Sequence, residues 1–291
     1  MCDELTHRDA EEYLARKGLT RRNFNRQAAG ATIAALLVRT ADAAEIVEQE
    51  VLAATPDGEA DCYFAHPADG KYPGVIVWPD IVGMRPAFRA MGKRLAGSGY
   101  SVLVVNPYYR TAKGQVIPEG KTFRDPGIRE LLMPHAETLS PETCVSDGRA
   151  LVQFLDSQPA VDTSRKIGTT GYCMTGSYVL RLAAAIPDRI GAGASFHGGG
   201  LATVEADSPH LLAPKIKAGL LIAIAENDDA RDPEAKTRLR EAFDAADVEA
   251  EIEVYEGTQH GWCPPDSSVY NEEQAERAWS RLLALFEREL A

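Results

Sequence analysis

The sequence predicts an α/β fold in which a mostly parallel central sheet carries helices on both faces. Three observations lead there. Short unbroken apolar runs at residues 74–78, 101–105 and 218–225 have the length and continuity of strands buried on both sides. Between such runs lie segments with apolar residues three and four apart, as at Phe88, Met91 and Leu95, the spacing of a helix laying one face on a sheet. Glycine, proline or acidic residues punctuate the junctions, and strands alternating with helices in this way are joined by crossovers into a parallel sheet.

Taken in order, residues 1–44 read as an extension ahead of a single domain spanning 45–291. Within the extension, Arg21-Arg22 and Phe24 precede a mildly apolar stretch at 28–38 and the small-residue site Ala41-Asp42-Ala43-Ala44. This resembles a twin-arginine export signal, with Asn25 where a more apolar residue is usual, and export would make the protein periplasmic. The other reading is an N-terminal helix that docks on the domain and stays there, which leaves the protein cytoplasmic. From residue 45, runs at 46–52 and 60–64 flank the turn Pro56-Asp57-Gly58 and predict an antiparallel hairpin. Strand 74–78 ends in Pro79-Asp80-Ile81-Val82-Gly83, a helix covers 87–95, and strand 101–105 ends in Asn106-Pro107-Tyr108-Tyr109-Arg110.

Residues 111–140 are broken by Gly114, Pro118, Gly120, Pro126, Gly127 and Pro134, which reads as a cap or active-site loop without a long element; a solvated loop is the plainer alternative. A helix from Pro141 to Leu155 leads to a strand ending at Gly171-Tyr172-Cys173-Met174-Thr175-Gly176, and a helix follows. The strand at 190–196 ends in His197-Gly198-Gly199-Gly200. This run invites comparison with an oxyanion loop, but such loops precede the nucleophile and this one follows Cys173, so a tight turn with a structural histidine is the reading taken. Strand 218–225 runs into Glu226-Asn227-Asp228-Asp229. A helix at 233–246, a strand at 251–255, the turn Gly257-Thr258-Gln259-His260-Gly261 and a helix at 271–290 complete the chain.

Composition narrows the function. The chain of 291 residues is 45% hydrophobic and 25% charged, ordinary for a globular protein with a sizeable core. Its net charge of −12 argues against nucleic acid or an anionic membrane as the main partner. Five widely spaced cysteines, Cys2, Cys62, Cys144, Cys173 and Cys263, without a Cys-x-x-Cys pair, suggest neither a disulfide framework nor a zinc site. No apolar run reaches the roughly 18 residues of a transmembrane helix. Nothing in the pattern fixes an oligomeric state.

The chemistry is expected where strand ends meet. A cysteine at a sharp strand-to-helix turn sits beside a helix N-terminus that favours its thiolate, although a lone cysteine is also a common small core residue. Downstream, Asp228 and His260 follow two further strands, giving the order nucleophile, acid, histidine; Asp229 and Asp232 are rivals for the acid. Parallel strands bring such loops to one edge of the sheet. His260 would exchange a proton with Cys173 while Asp228 orients the ring, and the backbone N–H groups of Met174 and Ile81 are placed to receive a developing oxyanion.

From about residue 45 onward the chain resembles the dienelactone hydrolase family of α/β-hydrolases. The family's Gly-x-Cys-x-Gly elbow falls on Gly171 to Thr175, with threonine replacing the last glycine, its acid on Asp228 and its histidine turn on His260-Gly261. The resemblance implies that Asp80, standing for a family glutamate, modulates the resting thiol, and that Arg110 grips a substrate carboxylate. The family's second arginine has no counterpart after His260. Tyr108, Tyr109 and Trp262 are expected to shape the pocket. The implied activity is hydrolysis of small esters or lactones bearing a carboxylate, through a thioester and without metal or organic cofactor. A general carboxylesterase or thioesterase, and a non-catalytic binding protein of the same fold, are the alternatives.

Overall fold

In the computed structural model, which describes residues 4–16 and 45–291, the domain begins with the expected hairpin. Strands β1 (Ile46–Thr55) and β2 (Gly58–Pro67) pair antiparallel, with Thr55 opposite Gly58. Strands β3 (Gly74–Trp78), β4 (Ser101–Val105), β5 (Ile167–Tyr172), β6 (Ile190–Phe196), β7 (Gly219–Ala225) and β8 (Ala250–Tyr255) follow. They complete one eight-stranded sheet ordered β1-β2-β4-β3-β5-β6-β7-β8, in which β2 meets β4 antiparallel and β3 to β8 are mutually parallel. This is an α/β-hydrolase architecture.

Alternation along the strands divides the core in two. Ile76 and Trp78 of β3 face α4 (Pro141–Asp156), α5 (Gly176–Ala185) and α7 (Ala235–Ala245), which contribute Leu151, Val179 and Phe243. Val75 and Val77 face α2 (Pro86–Ala96) and α8 (Glu272–Glu289), which contribute Phe88 and Phe286. Every position of β3 and β4 is therefore buried, which is why these strands read as unbroken hydrophobic runs.

Two elements differ from expectation. The cap region at 111–140 contains a helix, α3 (Ile128–Ala136), with Pro134 inside it. Ile128 and Leu132, four apart, are buried with Ile81, Val82 and Cys173, and this packing offsets the cost of the proline. A one-and-a-half-turn helix, α6 (Glu226–Arg231), occupies the segment after β7, so Asp228 stands on a helix rather than in a turn.

The N-terminal helix α1 (Glu4–Arg16) packs on the domain. Thr6, Ala10 and Leu14 are buried, four residues apart, as one helical face. Asp9 accepts hydrogen bonds from Asn227 (3.2 Å) and Arg231 (2.6 Å), and the Thr6 hydroxyl lies 3.1 Å from the same guanidinium. Arg21, Arg22 and the rest of the signal-like segment lie outside the described residues. No described helix is long and apolar enough to cross a membrane.

Candidate active site

The C-terminal ends of β3, β5, β6, β7 and β8 converge at one edge of the sheet, where they present Asp80 and Ile81, Cys173, His197, Asp228 and His260 in turn. Cys173 follows β5 directly and holds a φ of 56°, in the left-handed region that costs a non-glycine residue of order 1–3 kcal/mol. Two close approaches enforce the turn. A Cβ on Gly171 would lie 2.2 Å from the Thr175 carbonyl oxygen, and one on Gly176 would lie 2.5 Å from the Gly198 Cα.

Thr175 therefore does not crowd the elbow; the position that must be glycine is the next one. Its hydroxyl accepts from the Tyr172 N–H at 2.9 Å and lies 2.9 Å from the Trp78 carbonyl, to which it can donate. The threonine thus ties the nucleophile turn to the end of β3, the strand that leads to Ile81.

His260 is held from two sides. Its backbone N–H donates to Asn227 Oδ1 at 2.8 Å, and its Nδ1 lies 2.7 Å from Asp228 Oδ2. Burial alone would lower the pKa of this ring, but the Asp228 carboxylate and the Cys173 sulfur outweigh it and raise the value to about 10. The ring's Nε2 lacks a partner at strict hydrogen-bond geometry among the described residues, yet the Cys173 sulfur is close enough to act on the ring both by charge and as a hydrogen-bond partner. Burial has the opposite consequence for the other described thiols: it pushes Cys62, Cys144 and Cys263 above the ordinary thiol range. Cys173 and His260 share a cavity of about 100 Å³, lined by Asp80, Ile81 and His197 and, from α1, by Thr6 and Ala10.

Comparison with known proteins places the chain in a family. The chain matches the dienelactone hydrolase family over residues 60–290. It is 33% identical over 233 residues to a Synechocystis sp. protein assigned as a carboxymethylenebutenolidase, covering 78% of this chain and 91% of the relative. The chain belongs to the dienelactone hydrolase family. The carboxymethylenebutenolidase of Rhodococcus opacus is 24% identical over 74% of this chain and 81% of its own length. Among solved structures, a Klebsiella pneumoniae protein assigned as a dienelactone hydrolase has the same fold, with a TM-score of 0.72 at 24% identity over 84% of this chain and 99% of that one.

Within this dienelactone hydrolase fold, several expected contacts are arranged differently. Asp80 is buried on the cavity wall, accepting the Val82 N–H at 2.9 Å and two hydrogen bonds from Arg85 at 2.7 and 3.0 Å. Arg85 in turn donates to Asp266 at 2.6 and 3.0 Å. Burial pushes the Asp80 carboxyl up against the pull of Arg85, and the nearby Cys173 sulfur adds to the rise. Sequence reasoning missed Arg85 and Asp266, which lie 181 positions apart; the only local signal was an arginine five residues after Asp80.

The expected carboxylate grip is not at the cavity. Arg110 is engaged by Asp57 (2.9 and 2.7 Å) and Asp147 (2.8 and 2.7 Å), so its guanidinium braces the β1–β2 turn against α4. Tyr109 also points to Asp147, at 2.8 Å, and Tyr108 donates to the Ile81 carbonyl at 2.6 Å from behind the wall. Trp262 is fully buried and stacked on Tyr255 at 4.8 Å. None of these four side chains lines the cavity with Cys173; its cationic lining comes instead from Arg85 and from Lys121 and Arg124 of the cap.

Proposed function

We propose that this hydrolase cleaves small carboxylic esters, lactones included, with Cys173 as nucleophile, His260 as proton carrier and Asp228 as the group that orients and charges the imidazole. The observation that bears most weight is the line Asp228–His260 ending at a cysteine held in a strained elbow on the same cavity. Acidic and histidine partners in this order give a cysteine the base it needs.

The chemistry runs in two halves. A thiolate at Cys173 adds to the ester carbonyl, and the oxyanion is received by the backbone N–H groups of Met174 and Ile81, each such donor being worth roughly 3 kcal/mol of barrier. Collapse breaks the C–O bond, His260 delivers its proton to the departing oxygen, and a thioester remains. Acylation also removes the thiolate charge that raises His260, so the ring becomes a better base when it must take a proton from the hydrolytic water. The second tetrahedral intermediate then expels the thiolate and frees the acid.

Substrate preference follows from the cavity. A volume of about 100 Å³ beneath α1 and the cap suits small esters. One relative, from Bradyrhizobium sp. and 25% identical, is named as a probable lactonase of 2-oxo-3-(5-oxofuran-2-ylidene)propanoate. In this reading a substrate carboxylate meets Lys121 and Arg124 rather than Arg110.

A panel of lactones and aryl esters assayed with the wild type and Cys173→Ala tests the proposal. Turnover by the wild type and loss of at least about a thousandfold in the variant are expected, since the nucleophile has no substitute. Undiminished turnover by Cys173→Ala would remove the thioester from the mechanism.

A further inference from the structure

The cavity contains a second histidine that the chemistry above leaves unused. His197 follows β6 directly, is 1% exposed, and lines the same space as Cys173 and His260. Its ring centre lies 5.1 Å from that of His260, the two planes at 68°, with Tyr172 and Trp262 on other sides at 6.1 and 6.5 Å. Among the described residues, neither Nδ1 nor Nε2 has a side-chain or backbone partner at hydrogen-bond geometry. The backbone is anchored where the ring is not: the His197 N–H donates to the Ala223 carbonyl at 2.8 Å, and φ is 41°, in the left-handed region.

These facts conflict with a purely structural role. An apolar ring would fill a slot between Tyr172, Trp262 and His260 without leaving two polar atoms dry, and buried polar groups in folded proteins are nearly always satisfied. A neutral imidazole has one N–H donor and one acceptor, and a polar group in a molecule occupying the cavity the ring lines can meet one of them. Burial and the neighbouring His260 charge hold His197 well below the usual histidine range, which keeps it uncharged and unfit to compete for the proton that His260 carries.

We propose that His197 is a substrate-contacting residue whose ring hydrogen-bonds an oxygen of the ester held at Cys173. This rests on the ester-hydrolase reading above. A donor fixed by a rigid strand end would choose among esters by where their oxygens fall relative to the scissile carbonyl. It would also hold the acyl group in register with the elbow.

The test compares His197→Phe with His197→Asn. Phenylalanine keeps an aromatic ring but no polar atom, whereas asparagine keeps a donor and an acceptor and tolerates a left-handed φ. Steady-state kinetics with p-nitrophenyl acetate and dihydrocoumarin are read beside the rate of Cys173 alkylation by iodoacetamide, which needs the thiol and His260 but no ester contact. His197→Phe is expected to lose about 10- to 30-fold in kcat/KM on at least one substrate, with His197→Asn recovering to within about threefold and alkylation of both within about twofold of wild type. Wild-type kinetics in His197→Phe would overturn the proposal, as would an equal fall in turnover and alkylation, since the ring would then act only by holding the elbow or His260. A wild type inert toward both esters and the whole panel would overturn the ester reading as well, which separates the two failures.

Discussion

At Thr175 a single hydroxyl connects the strained turn at Cys173 to the end of β3, and its loss isolates buried backbone groups on both. Thr175→Val preserves shape but leaves the Tyr172 N–H and the Trp78 carbonyl without that partner, a cost of about 1–3 kcal/mol for an orphaned buried group. Thermal unfolding should therefore fall for Thr175→Val and stay near wild type for Thr175→Ser, with ester turnover following the same order. Equal melting of the two variants would show that the tie contributes nothing. Arg124 offers a second single-residue prediction, because it lines the cavity and belongs to the cap. Arg124→Ala should lower kcat/KM for a carboxylate-bearing ester about tenfold more than for its neutral analogue, the scale of a charged hydrogen bond. A uniform loss on both substrates would take the carboxylate grip away from the cap.

Among the elements, the strand ends were legible because each bears its chemistry in residue type and order. Cys173, Asp228 and His260 were found from turns after apolar runs, and the structure brings all three to one edge. What was not legible depends on partners far away in sequence. Arg110 looks like a pocket cation until Asp57 and Asp147, 53 and 37 positions off, are seen to hold it. Aromatic residues after a strand likewise do not reveal which way they turn, and Tyr108, Tyr109 and Trp262 turn into the core. Helix α1 is the extreme case, since its contacts to Asn227 and Arg231 span more than 200 residues. It lines the cavity through Thr6 and Ala10, so deleting residues 1–44 should widen access to it. Alkylation of Cys173 by a bulky maleimide should then accelerate more than alkylation by iodoacetamide. Unchanged rates with both reagents would mean that α1 does not limit access to the thiol.

For the whole molecule, the charge arrangement at the sheet edge is linked to stability through pH. His260 carries a pKa raised to about 10 in the folded protein against an ordinary 6.5, so folding takes up a proton wherever the unfolded ring has lost one. The stabilisation from this group is fully present below about pH 6.5 and is withdrawn as pH rises toward 10, which is the direction for a histidine that gains negative partners. Two of those partners are separable by mutation. Asp228 is the larger of the two causes that raise the ring, and the Cys173 sulfur is the next. Melting temperature measured from pH 6 to 10.5 should show the wild type losing this stabilisation steadily from about pH 6.5 and levelling off near pH 10. Cys173→Ala should start its decline at the same pH, which the unfolded ring sets, but end it at lower pH and lose less in total, because one of the charges that retains the proton is gone, and Asp228→Asn should end it lower still. Superimposable curves for wild type and Cys173→Ala would mean that the resting sulfur bears no negative charge beside His260, and the nucleophile would then have to be deprotonated during attack rather than before it.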